Sequence, residues 1–432
     1  MDKQTVKVGL MGLGTVGTGV VRIIDKHQED LHKQSGSRIV VEKILVQEKE
    51  KERAVSVSPD RITDNPRDIL HHSDIDIVIE VIGGVDTARA YIKEALLNGK
   101  HVVTANKDLM ALHGAELLQV AEENGCDLFY EASVAGGIPI IRTLVEGLAS
   151  DRITKIIGIV NGTTNYILSK MSQEGVSFQD VLQEAQQLGY AEADPTADVE
   201  GLDAARKMAI LGTLGFRMDV ALNDVDVSGI SEVTSEDIAY AKRLGYEMKL
   251  VGIARHQDGM IDISVQPTMI PNDHPLASVN GVYNAVYVYG EAVGETMFYG
   301  PGAGELPTAT AVVSDLVTVV KNMRLGVNGR GTVAPYREKK VKTAEQTYSK
   351  YFLRLHVADR AGVLAKITQL FADHDISLEK VLQVPHNGGY EAEIVLITHS
   401  ASKFGIERVK EQMEQLDIIN RMKSCYRVEG SD

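Results

Sequence analysis

The sequence predicts an α/β chain in three parts: a parallel, doubly wound sheet first, an α+β segment in the middle, and a βαββαβ unit at the end. Three observations predict this. Short apolar runs alternate with amphipathic helical stretches over residues 1–130, as in strands joined by crossover helices. Longer strand patterns mixed with helices fill residues 131–304. Residues 351–430 read strand, helix, strand, strand, helix, strand, the split βαβ order.

In chain order, the first part places strands at Val6–Leu10, Val40–Val46, Ile75–Val81 and His101–Thr104, with a helix beginning near Val16 and an amphipathic stretch over Thr87–Leu97. The middle part places strands at Ile153–Val160, Leu250–Ala254, Ile261–Gln266 and Ala285–Gly290 and reads as a substrate and assembly domain. Leu306–Met323 carries Val312, Val313, Leu316, Val319, Val320 and Met323 at i, i+3, i+4 spacing, a stripe suited to packing on a sheet, and is expected to return to the first part. Gly329–Lys350, with Arg337–Lys340 and few apolar residues, reads as a solvated linker. The last part reads Tyr351–Val357, helix Val363–Asp373, Ile376–Gln383, Glu391–Thr398, helix Phe404–Gln415 and Ile418–Val428. The expected domains are therefore 1–130 with 305–328, 131–304, the linker 329–350, and 351–430.

Composition narrows the function. A chain of 432 residues with 44% hydrophobic residues has ample material for about three cores. A formal net charge of −15 argues against a nucleic-acid partner, which needs a basic field. Cys126 and Cys425 stand far apart with no CxxC, so neither a disulfide framework nor a zinc site is indicated. Met1–Gln4 leads directly into a strand, and no apolar run reaches the roughly 20 residues that span a bilayer. A cytoplasmic location with no membrane contact is the expectation.

Gly12, Gly14 and Gly17 form G-x-G-x-x-G directly after the first strand and at the mouth of a helix, the setting of a Rossmann-type dinucleotide site. Gly12 makes the turn, Gly14 admits a pyrophosphate, Gly17 allows close packing, and N–H groups near Thr15 and Val16 meet the anion. No acid closes the second strand at the place that selects NAD. Gln47 stands there, followed by Glu48, Lys49, Glu50, Lys51 and Arg53. The lysines and arginine suit a 2′-phosphate, so NADP is favoured, while Glu48 leaves NAD open and the same residues would serve as a solvated charged loop. Lys107 follows the strand ending at Thr104, at the carboxyl edge of the sheet, where it would reach cofactor or substrate; an ordinary surface lysine is the alternative.

The richest segment is Gly189–Lys207. Asp194-Pro195 and Asp198 signal a helix start, and Met208, Ile210, Leu211 and Leu214 continue the helix, placing Asp203 and Lys207 one turn apart on one face. A surface pair there contributes only about 0.2–0.5 kcal/mol.

This segment, with Ala185–Gly189, Asp194-Pro195, Asp198, Gly201, Asp203 and Lys207, resembles the homoserine dehydrogenase signature. The glycine turn, Thr104–Lys107, Glu131–Pro139, Asn161–Asn165 and Gly300–Gly304 extend the resemblance over essentially the whole chain, and residues 351–430 resemble an ACT domain. The resemblance implies NAD(P)-dependent interconversion of L-homoserine and L-aspartate 4-semialdehyde in threonine, methionine and isoleucine biosynthesis. It places Lys207 at proton transfer with Asp203 beside it, and Glu192, Asp198, Asp203 and Thr163 at the substrate. Gly189, Gly304 and Lys107 fall near the cofactor. A monovalent cation, sodium by its preference for hard oxygen ligands, is implied at Glu131 and the carbonyls of Val134, Gly136 and Ile138. A homodimer or homotetramer is also implied.

Asp359–Leu364, at the first strand-to-helix turn of the ACT-like part, is the expected seat of an amino-acid effector, L-threonine as the end product. Two rival functions stand beside this one: a dehydrogenase of another small amino-acid aldehyde, and a non-catalytic amino-acid sensor. The Asp203/Lys207 pair argues against the sensor, which needs neither residue.

Overall fold

The structure is a computed structural model describing residues 4–329, 334–386 and 390–430. The expected direct lead from Met1 into the first strand, and part of the 329–350 linker, lie outside the described residues. The chain divides into two compact units: residues 1–156, 206–223 and 284–339 in one, and 157–205, 224–283 and 340–432 in the other.

The first unit is built on six parallel strands, β1 (Thr5–Met11), β2 (Arg38–Leu45), β3 (Ile62–Thr63), β4 (Ile75–Glu80), β5 (His101–Thr104) and β6 (Leu128–Phe129), in the order β3-β2-β1-β4-β5-β6. This is a doubly wound order, and it reverses direction beside β1, where the strand ends open a crevice. The strands are apolar on both faces because helices cover both: Val6, Val8 and Leu10 of β1 and Ile77 and Ile79 of β4 are all buried. The helix Glu305–Leu325 does return to this core. It buries Ala309, Val312, Val313, Leu316, Val319 and Val320 against Val20, Val21 and Ile24 of the helix Thr15–Lys26. Gly19 lets the two helices meet, since a methyl group there would stand 2.8 Å from the Ala309 side chain and 2.7 Å from the Glu305 carbonyl oxygen.

In the second unit the strands Tyr246–Gln257, Met260–Pro271, Ile419–Val428, Tyr348–Ala358, Glu391–Thr398 and Leu378–His386 are hydrogen-bonded in that order. The last four, with the helices Val363–Asp373 and Lys403–Met413, form the expected βαββαβ part around its own apolar core. The expected strand boundaries move outward: Tyr351 becomes Tyr348 at the start, and the strands at 250 and 261 grow to twelve residues each as one long antiparallel ribbon.

The described part of the linker, 334–350, is largely exposed yet pinned at Ile261. Ile261 donates to the Lys340 carbonyl and accepts from the Lys342 amide, both at 2.8 Å. The βαββαβ part also shares its sheet with the middle segment, Thr268 and Met269 pairing in parallel with Arg427 and Val428. A buried ion pair reinforces that join. Arg354 Nε donates to Asp237 at 2.8 Å, and Ser424 and Tyr426 hydroxyls donate to the same carboxylate at 2.6 and 3.1 Å. Removing one member of such a pair leaves a buried charge uncompensated, at a cost of about 3–5 kcal/mol. Thr234 and Asp237 form a capping box on the helix Ser235–Arg243, so the ion pair is anchored to a helix start.

Candidate functional site

The glycine turn is dictated by space. Gly12 has φ +104°, and a Cβ there would lie 2.7 Å from the Val81 carbonyl oxygen; at Gly17 it would lie 2.1 Å from the Gly12 carbonyl oxygen. Gly14 differs, for nothing stands within 4 Å of its would-be Cβ. It caps the helix Thr15–Lys26 with no side chain over the first turn, so the helix N–H groups face open space. That is the arrangement a pyrophosphate needs, and it divides the labour of the three glycines: two for packing, one for access.

Beside the turn lies a crevice of about 300 Å³ lined by Val16, Glu80, Val81, Gly83, Ala105–Asp108, Ala132, Ser133, Ala135, Gly136, Gly302, Ala303, Thr308 and Lys207. It therefore opens at the carboxyl ends of β4 and β5. Both candidate lysines, Lys107 and Lys207, line it. Lys107 is the first residue of a helix capped by Asn106, whose side chain accepts from the Leu109 amide at 3.1 Å. Lys207 belongs to the helix Leu202–Phe216, one turn after Asp203. A larger hollow of about 1000 Å³ lies along the helices Thr15–Lys26 and Glu305–Leu325, but it contains neither amine nor any residue of the glycine turn.

Glu80 was not anticipated from sequence. It is fully buried, and its carboxylate accepts from the Ile82 and Gly83 amides at 2.9 and 3.3 Å and from the Thr104 hydroxyl at 2.6 Å. Burial raises its pKa above the ordinary glutamate value, with these donors opposing the shift. It ties the ends of β4 and β5 together at the mouth of the crevice. An acid closing an otherwise apolar strand was the available signal.

Gly302 and Ala303 lead into Gly304, at φ +122°, which caps the helix Glu305–Leu325. Gly136 meets this turn so closely that a Cβ would lie 2.4 Å from the Gly302 carbonyl oxygen, and both Ala135 and Gly136 have left-handed backbones. Glu131, expected at a cation, spends both carboxylate oxygens on the amides of Ile141 and Arg142, each at 2.8 Å. Asp315, also buried, accepts from the Glu131 amide and from Arg142, and burial pushes its pKa up to about 7. Among the described residues no group of three or more His, Cys, Asp or Glu side chains could hold a metal. The loop thus offers a cation chiefly backbone oxygen.

The basic loop after β2 is largely exposed and closes on itself through Arg53. The Arg53 guanidinium donates to the carbonyls of Glu48, Lys49 and Lys51, and Lys49 pairs with Asp64 at 2.7 Å, while Lys51 is exposed.

The second unit holds the acidic candidates. Asp203 is 3% exposed, and Asn161 Nδ2 donates to its Oδ2 at 2.9 Å and to Asp198 Oδ1 at 2.7 Å. Thr163 is buried near the start of the helix Gly162–Glu174, and its hydroxyl donates to the Tyr190 carbonyl at 2.6 Å, tying down the loop that carries Glu192. Glu192 itself is exposed. Gly189 has φ +74° where the helix Phe178–Gln187 ends, which accounts for glycine there on local grounds.

In the βαββαβ part, Gly362 has φ +91° and caps the helix Val363–Asp373, with Asp359 held by Gln383 at 3.1 Å. Both thiols are pushed up to about 11 by burial and are chemically quiet. Among the described residues no helix is long and apolar enough to cross a membrane.

Residues 12–131 match the family model "Homoserine dehydrogenase, NAD binding domain", 139–317 the model "Homoserine dehydrogenase", and 351–417 the model "ACT domain". A Bacillus subtilis homoserine dehydrogenase is 57% identical, covering 99% of both chains. The crystal structure of a homoserine dehydrogenase from Thiobacillus denitrificans superposes with a TM-score of 0.93 at 41% identity, covering 99% of both chains. A hyperthermophilic archaeal homoserine dehydrogenase in complex with NADPH has a TM-score of 0.62 at 29% identity, covering 73% of this chain and 97% of its own.

The glycine turn generates a paired prediction. Gly14→Ala should leave the thermal midpoint near that of the parent while weakening nicotinamide-cofactor binding at least about tenfold, because its methyl group enters only the ligand's space. Gly17→Ala should weaken binding and also destabilise by about 1–3 kcal/mol through overpacking. Fluorescence titration and thermal melts measure both, and equal stability loss in the two variants contradicts the division.

Proposed function

We infer the roles below from one premise: the chain belongs to the homoserine dehydrogenase family. It is an NAD(P)-dependent oxidoreductase interconverting L-homoserine and L-aspartate 4-semialdehyde, with an ACT domain at its C-terminal end. Lys207 is the proton-transfer group. The observation that supports this is its place in the lining of the crevice beside the glycine turn.

When bound, the nicotinamide supplies or takes the hydride at the reacting carbon. In the reducing direction the carbonyl oxygen gathers charge, and the Lys207 ammonium gives it a proton and stabilises it meanwhile. In the oxidising direction the neutral amine takes the hydroxyl proton. Asp203, one turn earlier on the same helix, is assigned to positioning the amine, while Glu192 supplies the counter-charge for the substrate ammonium. Asp198 and Thr163 complete the substrate side, Gly189 and Gly304 the cofactor side, and Lys107 holds cofactor or substrate.

Lys207→Ala should lower kcat by about 10²–10⁴-fold, the usual worth of a positioned acid–base group, with NADPH affinity within a few-fold of the parent. Near-normal turnover refutes the assignment. Lys107→Ala, measured alongside, should lose less kcat than Lys207→Ala; the reverse order would give proton transfer to Lys107.

NADP is the proposed cofactor, supported by the NADPH complex of the archaeal relative and by the basic loop. Arg53, whose guanidinium donates to carbonyls of its own loop, keeps NAD as the second reading. The ratio of kcat/KM for the two cofactors decides between them.

A sodium ion is proposed at the loop 131–138, held by the carbonyls of Val134, Gly136 and Ile138 with Glu131. What supports it is the match of this loop to the family pattern and the preference of a hard cation for oxygen ligands such as backbone carbonyls and a carboxylate. Replacing sodium by choline at constant ionic strength should lower the thermal midpoint; an unchanged midpoint removes the site.

L-Threonine is the proposed effector, bound at Asp359–Leu364, where the Gly362 cap leaves the helix start without a side-chain cover. Gly362→Val in the full chain should raise the threonine concentration for half-inhibition at least about tenfold without changing uninhibited turnover. Unaltered sensitivity refutes the location. A full-length variant is the proper test, since cutting the chain after Asn328 would strip Arg354 from buried Asp237. Assembly as a homodimer or homotetramer and a cytoplasmic location complete the reading, and sedimentation measures the first.

A further inference from the structure

We propose that Asn161 is a positioning residue that sets the orientation of the Asp198 and Asp203 carboxylates, acting through both of its amide hydrogens. The proposal rests on the reading that these two carboxylates serve the substrate.

A primary amide has two N–H donors and an acceptor oxygen. Asn161 spends all of them. Nδ2 donates to Asp198 Oδ1 at 2.7 Å and to Asp203 Oδ2 at 2.9 Å. Oδ1 accepts from the Thr164 amide and from the Thr164 hydroxyl, both at 2.9 Å. The flipped amide would aim its oxygen at two carboxylates and its hydrogens at two donors, so the network fixes one orientation.

Two carboxylate oxygens that both touch one nitrogen can be no farther apart than the sum of those contacts. Left alone, such a pair would turn apart or share a proton. One amide hydrogen for each oxygen removes that conflict, and the second oxygen of each group is directed as a consequence. Asp203 is buried, so water is a poor substitute for this donor.

Helix capping alone does not account for the residue. A cap needs only the acceptor, which Ser, Thr or Asp supplies about equally well. The amide nitrogen is what distinguishes Asn from these. Its platform is rigid as well: a Cβ on Gly162 would lie 2.7 Å from the Val282 carbonyl oxygen, and Asn165 Nδ2 donates to the carbonyls of Gly281 and Tyr283 at 2.9 and 3.1 Å. Buried Lys249, its pKa lowered by burial to about 8, donates to the Val279 carbonyl at 2.6 Å and holds the same loop from beneath.

The test uses Asn161→Asp, Asn161→Ser and Asp203→Asn in the full chain. Asn161→Asp keeps the cap and reverses the donors, so kcat/KM for homoserine should fall roughly 10- to 100-fold at about pH 8, the size of one or two lost charge-assisted hydrogen bonds. The loss should shrink as pH falls, because a proton taken up among three carboxylates restores a donor. NADPH affinity should stay near that of the parent, while the thermal midpoint falls because a third carboxylate enters a buried cluster. Asn161→Ser keeps the cap without adding charge, and should show the kcat/KM loss without the altered pH profile, so the proposal stays testable if the aspartate variant folds poorly. Parent-like kcat/KM in Asn161→Ser, or in a folded Asn161→Asp with the parent pH profile, overturns the positioning role. If Asp203→Asn is impaired while those variants are not, only this proposal fails; if Asp203→Asn itself keeps normal turnover, the carboxylate reading fails and takes this proposal with it.

Discussion

The close approach of Gly17 to Gly12 is the constraint on which the nicotinamide half of the molecule depends. A single methyl group at position 17 would stand 2.1 Å from a backbone oxygen, well inside contact distance, so the strand can turn into the helix only where side chains are missing. That tight passage brings the bare helix start at Gly14 to the sheet's carboxyl edge. The same edge receives the ends of β4 and β5 and the turn at Gly302, and the crevice they enclose is where Lys107 and Lys207 are found. Packing and chemistry therefore have one origin. Close approach recurs at Gly19 against Ala309 and at Gly136 against Gly302, which hold the returning helix and its preceding turn in register with the first strand.

The other unit is governed by charge in a dry place. Asp237 and Arg354 are both buried, and each is satisfied by further partners: Thr234, Glu393, Ser424 and Tyr426. Such a cluster adds little net stability over a hydrophobic equivalent, but it penalises every arrangement in which its members part. It makes the ACT domain and the middle segment a single continuous sheet. The ACT domain and the segment that carries Asp198 and Asp203 therefore belong to one compact unit.

Much of this was legible in the sequence, for physical reasons that differ by element. The parallel strands announce themselves by apolar runs buried on both faces, and the ACT helices by their period. The glycine turn was readable because its demands are steric and absolute. The strands at 250 and 261 were read too short because their ends carry His256, Gln257 and Thr268, polar residues that the twelve-residue ribbon tolerates through pairing alone. The docking of Lys340–Lys342 on Ile261 and the buried Arg354–Asp237 pair were illegible, since both depend on partners more than 75 residues away in sequence. Glu80 and Asn161 have partners nearer in sequence, but a buried acid and a bridging amide have no periodicity, and only the acid closing an apolar strand gave a signal. Glu131 shows the same limit: that its carboxylate accepts from the amides of Ile141 and Arg142 has no signal in the sequence.

Lys207 is proposed to carry the proton to or from the reacting oxygen, and a crystal structure of the full chain with NADP⁺ and L-homoserine tests that contact. The Lys207 Nζ should stand within about 2.6–3.2 Å of the homoserine hydroxyl, or one water away. A homoserine hydroxyl bonded to some other acid–base group, with the Lys207 amine turned away from it, would refute the assignment.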